Sequence, residues 1–294
     1  MTGVGLCLPQ LGPHVTGPVV RDFCTKAEEM GFTSLWVQEH LFYPLEGKTG
    51  FSGRAGRPVP EPYRSVLGAT ELLAAAAAWT SDALLGTSIL VAGYHRPVEL
   101  AQRLATIDVL SGGRLVAGLG LGWSIDEHTQ MDVSMERRGA RLEELVVAME
   151  ACWGDDPVEH HGELFDIPVA EVRPKPVQRP RPYLMSGMWG PVGLDRTTRL
   201  FDGWNPTSLT PEQAQETVTA LNSERQGRPP LDVWFRSFLQ WPGGPAVADA
   251  MFAQVARSKE LGFREVIIDA NFFEGITSPE AWLDVLDLLA PALQ

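Results

Sequence analysis

Residues 103–128, RLATIDVLSGGRLVAGLGLGWSIDEH, decide how the rest of the chain is read. They run as the end of a helix, a turn at Ser111-Gly112-Gly113, a strand opening at Arg114, and a glycine-rich exit from that strand. Side chains alternate across a strand. Leu115, Ala117, Leu119 and Leu121 therefore share one apolar face, and Val116, Gly118, Gly120 and Gly122 share the other. The second face loses its side chains toward its C-terminal end and is closed by Trp123, which leaves room for something flat. The same glycines also suit a strand that bends or that another backbone approaches closely. A dinucleotide fingerprint fits poorly. It needs G-x-G-x-x-G leading into a helix, and here G-x-G-x-G-W puts Trp123 where the third glycine belongs.

Working outward toward the N-terminus, short apolar runs at Val4–Pro9, Ser34–Val37 and Leu85–Val91 read as buried strands. Helical spacing covers Gly17–Met30, Arg64–Trp79 and Val98–Leu110, the last opened by Pro97. Toward the C-terminus, Arg137–Trp153 carries Leu142, Leu145, Val146 and Met149 on one helical stripe. Further strands follow at Tyr183–Ser186, Gly203–Asn205, Asp232–Leu239 and Arg264–Asp269. Helices run from Pro191 through Arg199, then Pro211–Arg225, Pro245–Leu261 and Ser278–Leu289. Two irregular segments interrupt this rhythm: Leu41–Tyr63, which carries Lys48, Arg54 and Arg57, and the proline-rich Gly154–Pro182.

Strands alternating with helices, over a length near the ~250 residues of a typical example plus inserts, predict an α/β fold. The specific expectation is a single (β/α)8 TIM barrel domain over 1–294, with insertion segments after strand 2 and after helix 4. A doubly wound open sheet is the alternative. Near-continuous apolar strands agree with parallel strands buried on both faces. Barrel chemistry gathers where strands end and helices begin.

Composition narrows the partners. The chain has 294 residues and a net charge of −13, with no basic stripe, so nucleic acid is not an expected partner. No apolar run reaches membrane-spanning length and no signal peptide opens the chain, which predicts a soluble cytoplasmic protein. Cys7, Cys24 and Cys152 lack ligand spacing and read as buried thiols. The six histidines show no metal-binding pattern, so no metal is expected; His160 and His161 read as solvated loop residues. There is no G-x-S-x-G elbow. The predicted strand ends instead collect aromatics, Tyr94, Trp123, Trp189 and Trp204, which suit a planar ligand.

Ordered motifs over roughly residues 3–206 carry a family resemblance: GLCLPQ, LWVQEHL, LGTSILV, YHRPVELAQRLATIDVLSGGRLVAGLGLGW, PKPVQRPRPYLMSG and RLFDGWNP. The chain resembles the bacterial luciferase-like monooxygenase superfamily, in particular the deazaflavin branch that uses coenzyme F420. The resemblance implies that Glu39 and His40 face the cofactor ring, with His40 as proton donor or charge stabiliser and Glu39 holding the ring or the imidazole. It implies a bulge with a cis Ser88-Ile89 bond, with Val91 nearby, and contributions from Leu121, Gly122 and Asp126. It also implies a phosphate-binding turn at Trp189, Gly190, Val192 and Gly193, and a homodimer.

One departure matters. Sugar-phosphate dehydrogenases of that branch place a catalytic glutamate where this chain has Trp123. The expected substrate is therefore a small organic molecule of apolar or aromatic character, in a pocket with Trp123, Tyr94 and Trp204. The expected activity is hydride transfer between F420 and that substrate. An FMN-dependent monooxygenase using O2 is the alternative. A non-catalytic flavin-binding barrel is a third reading, against which the Glu39-His40 pair weighs.

Overall fold

Apolar runs too short to be helices, each followed by an amphipathic stretch, close into a parallel barrel. The computed structural model describes residues 2–225, 227–238 and 244–294. In chain order come β1 (Gly3–Cys7), α1 (Gly17–Met30), β2 (Ser34–Val37), α2 (Ala69–Trp79), β3 (Leu84–Thr87), β4 (Leu90–Val91) and α3 (Pro97–Ser111). They are followed by β5 (Leu115–Gly120), α4 (Ile125–Gln130), α5 (Arg138–Trp153), β6 (Val158–His161) and β7 (Asp166–Ala170). The remainder is β8 (Tyr183–Ser186), α6 (Pro191–Leu200), β9 (Gly203–Trp204), α7 (Pro211–Glu224), β10 (Asp232–Phe238), α8 (Gly244–Glu260), β11 (Glu265–Asp269) and α9 (Ala281–Leu289).

The sheet runs β3, β2, β1, β11, β10, β9, β8, β5, and pairing of β3 with β5 closes it. With β4 continuing the β3 stave, this is the expected (β/α)8 TIM barrel, and the open sheet is excluded. Proline in the first turn starts α1, α3, α6 and α7. Left-handed Gly31 and Gly112 end α1 and α3.

One inward stripe per stave can be followed at period two. Ser34, Trp36 and Gln38 mark it at β2, Trp234 and Arg236 on β10, and Glu265, Ile267 and Asp269 on β11. Cys7, Trp36, Val116, Met185, Trp234 and Ile267 fill the middle of the barrel. Gly86 makes this possible, since a Cβ there would lie 2.1 Å from the Trp36 ring. The larger core lies between staves and helices. There Leu142, Leu145, Val146 and Met149 of α5 are fully buried, each adding about 1.5–3 kcal/mol over exposure.

Several expectations shift. The second helix begins at Ala69 rather than Arg64: residues Glu61–Arg64 form a 3-10 turn and Val66 bridges to Leu11. The third strand is split by a cis Ser88-Ile89 bond, as the resemblance implied. The last helix starts at Ala281, not Ser278. Leu239 of the predicted seventh strand lies outside the described residues. The segment 154–182 is not wholly irregular, because β6 and β7 pair as an antiparallel hairpin. His160 and His161 are therefore strand residues, with His161 exposed against Asp166 and His160 turned toward Glu144. No helix among the described residues is long and apolar enough to cross a membrane.

Candidate active site

A cavity of about 1750 Å³ opens at the C-terminal ends of the staves. Ordinary ligand pockets hold ~300–1,000 Å³, so this one has room for a large cofactor and a substrate together. Its floor continues the inward stripe upward with polar groups. Arg236 donates to Ser88 Oγ at 3.2 Å and to Gln38 Oε1 at 3.0 Å, and also bonds the Ser88 carbonyl and the Asp269 carboxylate. Ser88 Oγ in turn donates to Asn205 Oδ1 at 2.7 Å. Burial works against the guanidinium charge, but neighbouring Asp269 outweighs it and holds Arg236 protonated beyond the usual range.

Above the floor stand two carboxylate–imidazole pairs from consecutive residues. Alternation carried on from β2 keeps His40 with Trp36 and Gln38 and turns Glu39 the other way. The neighbours consequently take different partners. Glu39 accepts from the Val91 N–H at 2.6 Å and meets His95 Nε2 at 2.9 Å. Burial disfavours a charged His95, yet the Glu39 hydrogen bond and charge, helped by Glu99, raise its pKa.

His40 instead places Nδ1 3.1 Å from Glu127 Oε1. The same oxygen accepts the Leu41 N–H at 2.9 Å, and Oε2 accepts the Tyr94 hydroxyl at 2.9 Å. Burial pushes the Glu127 carboxyl upward, but His40, Leu41 and Tyr94 together hold it below the ordinary range. Glu127 reaches this position because Ser124 caps α4, its Oγ accepting from Glu127 N at 3.2 Å.

One wall is aromatic. His40 packs edge-on against Tyr63 with ring centroids 4.3 Å apart, and lies 5.4 Å from Trp123. Phe51 joins Trp123 at 5.5 Å, and Phe272 joins Tyr63 at 5.5 Å. Arg54, Arg57 and Arg138 also line the cavity, and none has a carboxylate partner among the described residues. The guanidinium of Arg57 lies over Phe51 at 4.9 Å.

The structure brings most of the expected residues to this cavity: Glu39, His40, Ser88, Ile89, Val91, Tyr94, Leu121, Gly122, Trp123, Trp189 and Gly190 all line it. Others stand elsewhere. Trp204 is a core residue whose indole donates to the Met188 carbonyl at 2.9 Å. Asp126 accepts from the Lys48 N–H at 2.9 Å, on the insert side of α4. Val192 and Gly193 belong to the first turn of α6, behind Gly190, and do not line the cavity. Glu39 holds Val91 and His95 rather than His40. The bare glycine face is partly occupied by the chain itself, with Ile89 lying over Gly120 and Gly187, and Met185 over Gly118.

Sequence reasoning missed Glu127, His95, Arg236 and the Phe51–Tyr63–Phe272 wall. A signal existed for Glu127: Ser124 followed by carboxylates and His128 is a helix start, and the first turn of that helix faces the mouth.

Comparison with known proteins places this geometry. The luciferase-like monooxygenase family matches residues 1–278. An uncharacterized protein of Mycobacterium tuberculosis is 32% identical over 182 residues, 62% of this chain and 64% of its own length. An F420-dependent glucose-6-phosphate dehydrogenase of Amycolatopsis mediterranei is 29% identical over 64% of this chain and 52% of its own length. The oxygenase component of a flavin-dependent trigonelline monooxygenase of Acinetobacter baylyi is 29% identical over 55% of this chain and 40% of its own length. The match thus spans about two-fifths to two-thirds of these curated relatives. An F420-dependent secondary alcohol dehydrogenase, solved with an F420-acetone adduct, shares the fold at a TM-score of 0.75 and 17% identity, over 100% of both chains.

Proposed function

We propose that this chain, which belongs to the luciferase-like monooxygenase family, is an oxidoreductase that moves a hydride between coenzyme F420 and an apolar or aromatic organic substrate. The observation that carries the choice of cofactor is the trio Arg54, Arg57 and Arg138 at the cavity, without carboxylate partners among the described residues, in a chain of net charge −13. Unpaired guanidinium groups working against a negative field favour a polyanionic ligand. Gly190, which lines the cavity, stands at the N-terminus of α6, an end that no side chain caps and whose dipole favours an anion.

The residues present fit such a cofactor, because the cavity exceeds what one substrate needs and its rim carries the cations. When bound, F420 supplies hydride transfer at carbon, and the surrounding protein supplies orientation. Trp123, Phe51, Tyr63 and Phe272 exclude water and offer flat apolar contact to the substrate. His40 takes or returns the proton on the substrate heteroatom, since its Nε2 has no hydrogen-bond partner among the described residues and the ring lines the cavity. Trp123, at the position where the family resemblance implies a glutamate for sugar-phosphate oxidation, argues against a sugar phosphate. The flavin-dependent trigonelline monooxygenase relative keeps a flavin such as FMN as the competing cofactor. Fluorescence titration of the purified protein with F420 and with FMN separates them. Micromolar affinity for F420 with much weaker FMN binding is expected, and the reverse order overturns the proposal.

A further inference from the structure

We propose that Glu127 is a positioning residue of the reaction, holding His40 as the Nδ1–H tautomer so that the basic Nε2 meets the substrate. This rests on the reading of His40 as the proton carrier. A neutral imidazole has one donor and one acceptor nitrogen, and the hydrogen bond made by one decides the role of the other. An ionised carboxylate only accepts. The hydrogen between Glu127 Oε1 and His40 Nδ1, 3.1 Å apart, therefore belongs to the imidazole, and Nε2 is left with its lone pair.

The carboxylate is fixed from several sides. The Leu41 N–H and the Tyr94 hydroxyl each hold an oxygen at 2.9 Å, and Glu127 is 2% exposed. At that depth the carboxylate offers little surface to solvent. Glu39, the sequence neighbour that could have taken this role, is engaged by His95 and Val91. The rings of Tyr63 and Trp123 hold the imidazole plane, so the tautomer is set with the ring already aimed. When Nε2 takes a proton from a substrate O–H or N–H, the imidazolium forms beside an existing carboxylate. Glu127 thus balances the new charge without moving.

The test uses the protein without cofactor. Long-range ¹H–¹⁵N spectra of histidine-labelled protein report which ring nitrogen carries the proton, and His40→Gln assigns the signal. The expected wild-type result, with the imidazole neutral, is the Nδ1–H form in excess of about tenfold, as a hydrogen bond to a charged group allows. In Glu127→Gln that excess should be lost, because an amide can accept or donate, and Glu127→Asp should restore part of it. A predominantly Nε2–H wild-type His40, or an unchanged ratio in Glu127→Gln, overturns the proposal. The wild-type spectrum needs no variant, so a folding failure in Glu127→Gln does not shelter it. Failure of this measurement leaves His40 as proton carrier intact. Undiminished turnover by His40→Ala, by contrast, removes the proton role itself and the positioning role with it.

Discussion

Glu265 and Asp269 share one face of β11 and stand at opposite ends of the barrel, yet they are held by different chemistry. Glu265, 3% exposed at the N-terminal end, is bonded by the hydroxyls of Thr33 and Ser34, and no cation among the described residues pairs with it. Burial raises its pKa against those bonds. Asp269, wholly buried at the other end, pairs with Arg236, which continues to Ser88 and Gln38 under the cavity. One carboxylate closes a plug that neutral groups satisfy. The other sits in a charged lattice that shapes a site. The barrel thereby separates staying folded from doing chemistry along a single strand.

The sharpest division between the ends is expected from His40→Ala. Its kcat should fall about 10²–10⁴-fold, the usual worth of general acid–base assistance, while its urea midpoint falls less than that of Arg236→Ala, because Leu41 and Tyr94 still hold Glu127. Arg236→Ala should strike both functions. Leaving Asp269 buried without its cation costs roughly 3–5 kcal/mol, read by urea unfolding, and the loss of the Ser88 and Gln38 bonds should weaken substrate turnover as well. An Arg236→Ala protein as stable as wild type would erase the contrast between the two carboxylates.

Glu265→Gln should have the smallest effect and touch stability alone. A carboxyl whose folded pKa is raised contributes fully below its unfolded value, and that contribution is lost as pH rises through the folded pKa. Wild-type stability should therefore decline from the ordinary glutamate range toward neutrality, through this residue. The amide has no proton to lose, so the variant should be flatter with pH and gain roughly 0.5–2 kcal/mol at neutral pH, the scale of a stabilising single substitution. Thermal melts at several pH values measure it. A large loss of kcat in this variant would show that the two ends are not independent.

The barrel was legible because its strands are continuous apolar runs and its helices carry proline starts and glycine ends, signals local to the chain. Helix α1 and strands β2 and β8 fall on their predicted bounds for this reason. The hairpin of β6 and β7 was hidden by Pro168 and by polar residues at exposed positions, which imitate a loop. At the site, His40 could be read from its place after an apolar strand. Its partner could not, because Glu39 and Glu127 are both carboxylates within reach in principle. Only the alternation of the backbone past β2 and the turn of α4 decide between them. Arg236 was missed for a related reason: one cation inside an apolar strand becomes meaningful only when Asp269 is seen beside it.

Among the described residues the closed barrel leaves no stave with an unpaired edge, whereas a two-stranded hairpin has two. Open ladder groups are templates for a foreign strand, and proteins guard them with short strands, charge and proline. The hairpin has all three: four and five residues, Glu159, His161 and Asp166 on exposed positions, and Pro168 without an N–H to offer. A segment that read as irregular is therefore also the one whose polar, proline-bearing sequence defends the molecule against edge-to-edge aggregation.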